Sequence, residues 1–528
     1  MILSPSQEEA KTKISKFLNS YDISNNMFIL EGSAGTGKST TITQILSNEQ
    51  FADKKIAYSA TTNKAVSVLK QYSNNSENYS FLTIHKLLNI KRKIDESGKE
   101  LFVTLLDNDT NSTSKAKSIF HYDIIVIDES SMISCELLTK LIKIKDRIKG
   151  KIIFLGDPAQ LPPVNETNSL IFHTNDITKF RLKEIMRYKG LIVNLCDSVR
   201  CLVFDESAKI KFGEFKCDKI KIYKDFDKSI QKYMKFIEGG YQPIYLVYTN
   251  RKCDLINSVI RKNIFDNTTN KYEIGELILF NNYHKTSSNT YYTSKQMIVK
   301  NVDETIMDLS TIDLREIFKI KDNKVEEPNK CKLCSGNVKR DSMCGCNLCN
   351  ICITEWLSDK FVCPGCFIKI TGNTIEIKND TKLSNKINSL FTCFENKQFR
   401  IYKLILNNDD TVITIHEKSK EEYNKFIEDI MENLKDIKKY IDKIYKRNKL
   451  FNGIMLNLWE NFYQKYIDIF ADISYGYCIT THKSQGSNYK AVFVDMENII
   501  TCNPNKKESY RCLYTAITRT SKYLNILM

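Results

Sequence analysis

The stretch Gly32-Ser33-Ala34-Gly35-Thr36-Gly37-Lys38-Ser39 has the residue types and spacing of a phosphate cradle. Glycines let backbone N–H groups turn toward phosphate oxygens. The lysine reaches the β- and γ-phosphates, and the hydroxyl that follows it ligates Mg²⁺. Three of the chain's 18 glycines fall within six residues here, which an ordinary glycine turn does not require. Farther along, Asp128-Glu129 supplies a carboxylate to hold Mg²⁺ and a second to orient and deprotonate a water attacking the γ-phosphate. Gly156-Asp157-Pro158-Ala159-Gln160 is a further polar motif, and Gln7 offers a carboxamide able to read both donor and acceptor of adenine. The chemistry implied is ATP hydrolysis with Mg²⁺.

These groups need elements that deliver them to one place. The cradle lies between the apolar run Met27 to Leu30 and a helical pattern beginning near Thr40. Ile124 to Ile127 and Lys151 to Leu155 are continuous apolar runs of the kind a parallel strand covered on both faces requires, and each ends in one of the motifs. Strand ends in succession are where a parallel α/β sheet puts its site. Ile56 to Ala60 runs into Thr61-Thr62-Asn63-Lys64-Ala65, and Thr83-Ile84-His85 follows after a short break. These hydroxyl, amide and basic groups suit nucleic-acid phosphates or, alternatively, plain helix capping. Lys91 to Val103 alternates polar and apolar residues about Glu96-Ser97-Gly98 and predicts a β-hairpin.

At 528 residues the chain holds several domains, and its +15 net charge favours a polyanionic partner, although a Lys-, Asn- and Ile-rich composition yields the same excess without one. No apolar leader or run of about 18 apolar residues is present, so a soluble, intracellular protein without membrane contact is expected. Nine of the 17 cysteines are scattered singly, as suits reduced thiols, and eight lie between Cys331 and Cys366. The Asn/Ser/Thr-rich stretch Asp107 to Lys117 reads as a flexible loop.

In order along the chain, Gln7, the cradle, Ala60 to Ala65, Thr83 to Leu88, Asp128-Glu129, Gly156 to Pro163, Leu182 to Arg187, Tyr248-Thr249-Asn250, Thr481-His482-Lys483-Ser484-Gln485-Gly486 and Tyr514 to Thr520 resemble the motifs of superfamily 1B helicases. This is the branch that includes RecD and the phage helicase Dda. The resemblance implies an α/β fold of two RecA-like parallel-sheet domains with nucleotide between them and single-stranded DNA across their tops. Arg187 and Arg519 would both reach the γ-phosphate from the second domain, and Gln160 would sense it across the same cleft. Thr62, Asn63, Thr83, His85, Thr249, Asn250, Thr481, His482 and Lys483 would meet DNA, and the hairpin's Phe102, with Leu101, would be the wedge at the fork. Travel from 5′ to 3′ along single-stranded and forked DNA, as a monomer, follows from the same resemblance.

The resulting division places the first RecA-like domain at 1–88 and 118–177, the hairpin at 89–117, and the second domain at 178–271 and 465–528. An insertion of roughly 200 residues separates the strands Ile244 to Val247 and Tyr475 to Ile479. Within it, 272–327 and 371–416 resemble an SH3-like subdomain and 417–464 is helical. There Tyr423, Ile427, Ile430, Leu434, Ile437, Ile441 and Ile444 recur at steps of four and three, and the helix is expected to pack on the second motor domain or the zinc module. At 328–370 the pairs Cys331/Cys334, Cys344/Cys346, Cys349/Cys352 and Cys363/Cys366 can each supply half of a tetrahedral Zn²⁺ site. Their spacing resembles a RING finger. That implies Cys331, Cys334, Cys349 and Cys352 on one ion and Cys344, Cys346, Cys363 and Cys366 on the other, with Leu333, Trp356 and Pro364 facing a protein partner. Cys346 replaces the usual histidine and Phe367 a common basic residue, so a structural zinc module competes with a ligase. Alternatives to the DNA helicase are therefore a RING-type ubiquitin ligase or scaffold with an accessory motor, and an RNA helicase.

Overall fold

The computed structural model describes residues 3–22, 25–73, 76–95, 97–104, 118–163, 165–187, 190–266, 269–310, 318–320, 375–377, 381–445 and 449–528. The eight clustered cysteines, Leu333, Trp356, Pro364 and Phe367, and the stretch Asp107 to Lys117 lie outside the described residues.

A six-stranded, wholly parallel sheet runs in the spatial order Tyr79–Thr83, Ile56–Ala60, Ile124–Asp128, Lys151–Gly156, Met27–Gly32, Thr178–Leu182. Strand side chains alternate between faces, so continuous apolar runs feed two cores at once. Ile29, Ile125, Ile127 and Ile152 enter one, and Phe28, Leu30, Val126, Ile153 and Leu155 the other. The Thr178–Leu182 strand corrects the domain division at 177/178. It pairs with Met27–Gly32, and its mixed sequence carries no signal of which sheet it joins.

The second parallel sheet has five strands, ordered Cys478–Thr480, Ile244–Val247, Tyr489–Asp495, Thr520–Leu527, Ile220–Tyr223. Tyr475 to Ile479 is not one strand, as the apolar run suggested. Ile473–Tyr475 pairs antiparallel with Leu277–Phe280 in a third sheet, and the chain crosses at Gly476 into Cys478–Thr480 of the second. At Gly476 a side chain would meet Leu277 Cγ at 3.1 Å, a tight fit that Leu277 would have to yield to.

The third sheet is antiparallel, ordered Thr411–Ile415, Gln398–Leu406, Gln296–Asp308, Leu277–Phe280, Ile473–Tyr475. Its long ribbon of Gln296–Asp308 with Gln398–Leu406 carries Leu309 and Phe399 into a helical core. That core joins the helices Thr381–Thr392, Glu417–Tyr445 and Lys449–Phe462. The Thr381–Thr392 helix corrects its assignment to the β subdomain at 371–416. On Glu417–Tyr445, Ile430, Leu434 and Ile437 are buried and Tyr423 and Ile427 partly so, as the periodicity requires, but their partners are these helices rather than the second motor domain. No helix among the described residues is long and apolar enough to cross a membrane.

The hairpin forms as expected from Ile90–Ile94 and Glu100–Thr104. Asp95 Oδ1 accepts from the backbone N–H groups of Ser97 and Lys99 and from the Ser97 hydroxyl, closing the turn. One side of it docks on the helical core. Ile94 is buried there, Tyr463 donates its hydroxyl to Gly98 O at 3.3 Å, and Arg92 pairs with Glu100 at 2.6 Å and Asp468 at 3.3 Å.

Candidate nucleotide cleft and nucleic-acid surface

Gly32 ends a strand and Lys38 begins the helix Lys38–Leu46, so the cradle spans a strand end and a helix N-terminus whose first N–H groups lack intrahelical partners. Gly35 and Gly37 take φ of 87° and 79°, which only glycine adopts cheaply. At Gly37 a Cβ would also meet Gln7 Nε2 at 2.7 Å. Gln7 donates Nε2–H to Thr36 O at 3.0 Å and accepts from Ser4 N at 2.9 Å, so its carboxamide braces the cradle while lining the cleft. Its helix is itself pinned. Glu184 accepts from the hydroxyls of Ser4, at 2.9 Å, and Ser6.

Lys38 Nζ donates to Gly32 O at 2.8 Å and Ser33 O at 3.2 Å, and burial pushes its pKa down. An ammonium held by its own loop's carbonyls is poised for an anion. The Ser39 hydroxyl donates to Asp128 Oδ2 at 2.5 Å, joining the two groups assigned to Mg²⁺. Glu129 stands beside them at φ 51°, a left-handed conformation strained for a non-glycine residue. Burial raises its carboxyl pKa against the pull of Arg519, with Asp128 raising it further and Lys38 and Arg187 lowering it. A carboxylate kept above its ordinary range in this way suits a general base.

The cleft encloses about 320 Å³ and is lined by both domains. Gln160 Oε1 is buried without a hydrogen-bond partner among the described residues, as a group awaiting one would be. From the second domain, Arg519 is 3% exposed and lines the cleft. Its guanidinium is held by Thr515 O at 3.0 Å and Ser487 O at 3.3 Å. Arg187 also lines the cleft, but the expectation that it comes from the second domain is corrected. It follows the last strand of the first sheet, and its N–H and that of Met186 donate to Gly35 O at 3.1 and 2.8 Å. Its guanidinium crosses to Asn488 Oδ1 at 2.8 Å. The donor set fits ATP with Mg²⁺: Ser39 and Asp128 would hold the cation, Lys38 and the cradle amides the phosphates. The bound nucleotide would supply the phosphoanhydride.

The residues expected to meet DNA divide. Thr62, Thr83 and Thr249 cap helices, accepting from the N–H groups of Ala65, Lys86 and Lys252, as the capping alternative has it, with Asn63 and Asn250 just inside two of the caps. Thr481 is fully buried and donates to Val247 O at 3.2 Å, so it fastens its loop and cannot meet a ligand, a correction of its assignment. His482 and His85 are half-buried, and burial lowers both pKa values. Lys483 is half-buried and donates to Asn281 at 2.8 Å. On the hairpin Phe102 is 59% exposed and Leu101 39%, so neither packs inward, while Lys91, Arg92 and Lys93 are also exposed.

Sequence reasoning assigned no role to a joint between the domains. Arg511 donates to the carbonyls of Pro158 and, at 3.1 Å, Gln160. Thr515 Oγ1 accepts from Leu161 N at 3.2 Å, and Tyr514 reaches Asp157 at 2.7 Å. Their i, i+3, i+4 spacing was the available signal, since it sets polar groups on one helix face.

Residues 18–166 match the family model described as an AAA domain, and residues 475–527 that of a UvrD-like helicase C-terminal domain. The chain is 30% identical over 554 residues to the uncharacterised protein R530 of Acanthamoeba polyphaga mimivirus, covering 99% of each. It is 31% identical to the RecBCD enzyme subunit RecD of Buchnera aphidicola (subsp. Schizaphis graminum) across 28% of this chain and 24% of RecD. With the ATP-dependent DNA helicase dda of Enterobacteria phage T4 it shares 24% identity over 47% of this chain and 55% of that protein. The chain thus spans nearly all of the mimivirus protein, but about a quarter of RecD and about half of the phage helicase.

Proposed function

The chain belongs to the superfamily 1 helicases, and from that premise we propose that it is an ATP-dependent DNA helicase of the 1B branch, moving 5′ to 3′ on single-stranded DNA and unwinding duplex. One observation carries the reading. A single cleft gathers Lys38, Ser39, Asp128, Glu129 and Gln160 from the first domain with Arg519 from the second. Glu129 takes a proton from the attacking water, Lys38 and the cradle amides hold the leaving phosphates, and Arg519 stabilises the developing charge. Because Arg519 belongs to the other domain, hydrolysis proceeds fastest when the cleft is shut, and loss of the γ-phosphate loosens it.

The exposed hairpin is the wedge, with Phe102 and Leu101 against the first base pair and Lys91 and Lys93 on the backbone, while Arg92 is committed to Glu100 and Asp468. The antiparallel sheet is the SH3-like subdomain of this branch. Residues 331–366 bind two Zn²⁺ as a structural, RING-like module that offers a face to a protein partner. The test is strand displacement on duplexes carrying 5′ or 3′ tails, in DNA and RNA versions, beside Lys38→Ala. Displacement of 5′-tailed DNA by the wild type and none by the variant is expected. Equal work by the variant, or displacement of RNA alone, overturns the proposal.

A further inference from the structure

The helix Lys506–Ile517 ends two residues before Arg519, and one stripe of it is tied to the first domain at three points. Arg511 clamps the Pro158 and Gln160 carbonyls, Thr515 accepts from Leu161 N, and between them stands Tyr514, 1% exposed. The Tyr514 hydroxyl makes two bonds of different kinds. It accepts from Ala34 N of the phosphate cradle at 3.1 Å and donates to Asp157 Oδ2 at 2.7 Å. Asp157 is fixed in turn by Ala159 N at 3.1 Å and by Arg200 at 3.5 Å. One phenol from the second domain therefore touches both strand-end loops of the first, the cradle and the segment that carries Gln160.

We infer that Tyr514 is the positioning residue that registers Arg519 against the phosphate cradle: its hydroxyl ties the helix that leads into that arginine to Ala34 and Asp157, so that the cradle sets where the guanidinium stands. The inference rests on the motor reading and adds to it the residue through which the two halves of the cleft are aligned. Three features support a specific role over filler. The hydroxyl is matched at both its donor and its acceptor side, the carboxylate it meets is held by two other groups, and Arg519 lies only one turn and a residue away. Removing the oxygen leaves the ring to fill its place and Ala159 N and Arg200 still on Asp157 Oδ1, while Asp157 Oδ2 and Ala34 N lose the hydroxyl that joined them. The expected loss is thus one of alignment, and an ångström of misplacement at a reacting centre costs on the order of 10²-fold in rate.

The experiment is a double-mutant cycle in the full chain with Tyr514→Phe, Arg519→Ala and the two together. It reads single-turnover ATP hydrolysis with single-stranded DNA, binding of a fluorescent ATP analogue, and the thermal midpoint. Tyr514→Phe should bind the analogue within about twofold of wild type and hydrolyse roughly 10–100-fold more slowly. Added to Arg519→Ala it should cause no further loss, because it acts through that residue. A multiplicative loss in the double variant, or undiminished hydrolysis by Tyr514→Phe, overturns the inference. If Tyr514→Phe proves unstable, Thr515→Val, which removes the acceptor of Leu161 N while keeping its shape, enters the same cycle and is judged by the same outcomes. Absence of hydrolysis in the wild-type chain overturns instead the motor reading beneath it.

Discussion

Gly98→Ala at the hairpin tip should uncouple unwinding from hydrolysis. Gly98 has φ 83°, and a Cβ built there would lie 2.6 Å from Trp459 Cζ2 and 2.7 Å from Cε2 and Cη2. Trp459 cannot retreat: it is fully buried, with Phe462 and Tyr463 rings 5.9 and 6.4 Å away. The left-handed backbone costs an alanine about 1–2 kcal/mol, and overpacking adds about 1–3 kcal/mol. What holds the hairpin down is of the same size. Burial of Ile94 contributes about 1.5–3 kcal/mol, the Tyr463 hydrogen bond about 0.5–1.5 kcal/mol, and the half-exposed Arg92–Asp468 pair at most about 1 kcal/mol. The substitution should therefore lift the hairpin from the helices in much of the population. Displacement of a forked DNA duplex is expected to fall about tenfold or more while single-strand-stimulated ATP turnover stays within about twofold, because no cleft residue is touched. Trp459→Phe added to Gly98→Ala removes the clashing ring atoms and should restore part of the displacement. Normal displacement by Gly98→Ala, or hydrolysis falling in step with it, would refute the reasoning.

Glu129→Gln should keep ATP-analogue binding and lose roughly 10²-fold or more in turnover; near-normal turnover removes the role assigned to it. Burial raises the Glu129 pKa above 4.5, so the folded chain loses stability as pH rises through that raised value. A neutral glutamine escapes the penalty, and Glu129→Gln should melt at or above the wild-type temperature at pH 7. A lower midpoint counts against a strained carboxylate, and the acid limb of wild-type turnover should fall above 4.5 for the same reason. Elemental analysis of protein purified without chelator should find two Zn²⁺ per chain, held by the cysteines between Cys331 and Cys366; no zinc ends that proposal.

Most of the cleft could be read from the sequence because its parts are local. A strand, a glycine loop and a helix in succession define the cradle, and Asp128-Glu129 sits where a continuous apolar run ends. The hairpin was equally legible, since turn and alternation lie within fifteen residues. What escaped was decided by distant contacts. The strand Thr178–Leu182 has one buried residue, Leu182, so its pattern does not say which sheet it borders. The helix Glu417–Tyr445 shows its apolar stripe plainly, yet a stripe does not name its partner, and the partners come from segments as far apart as Ile94 and Trp459. Thr481 reads as a surface hydroxyl in a polar motif, and only the sheet above it reveals that its oxygen is spent on Val247.

The loop after Cys478–Thr480 explains how hydrolysis in this cleft could become movement along a strand. Its two ends face different expected ligands. His482 and Lys483 lie on the side assigned to DNA, while Gly486 lines the nucleotide cleft at φ 72° and packs so close to the first domain that a side chain there would meet Ala65 Cβ at 3.2 Å and Thr62 Oγ1 at 3.4 Å. Ser487 follows directly, and its carbonyl holds Arg519. A change in the position of Arg519 thus reaches Ser487, Gly486 and the Thr62 cap within a few bonds, and Thr62 is one of the groups assigned to the strand. With Thr481 anchored to Val247, the loop has a fixed root and moves as a unit. On the proposed reading, shutting the cleft would press this loop toward Thr62, and opening it would draw His482 and Lys483 away with the second domain. On the proposed reading, one cycle of closure and release changes the spacing between two sets of strand contacts, which is the elementary requirement for a step.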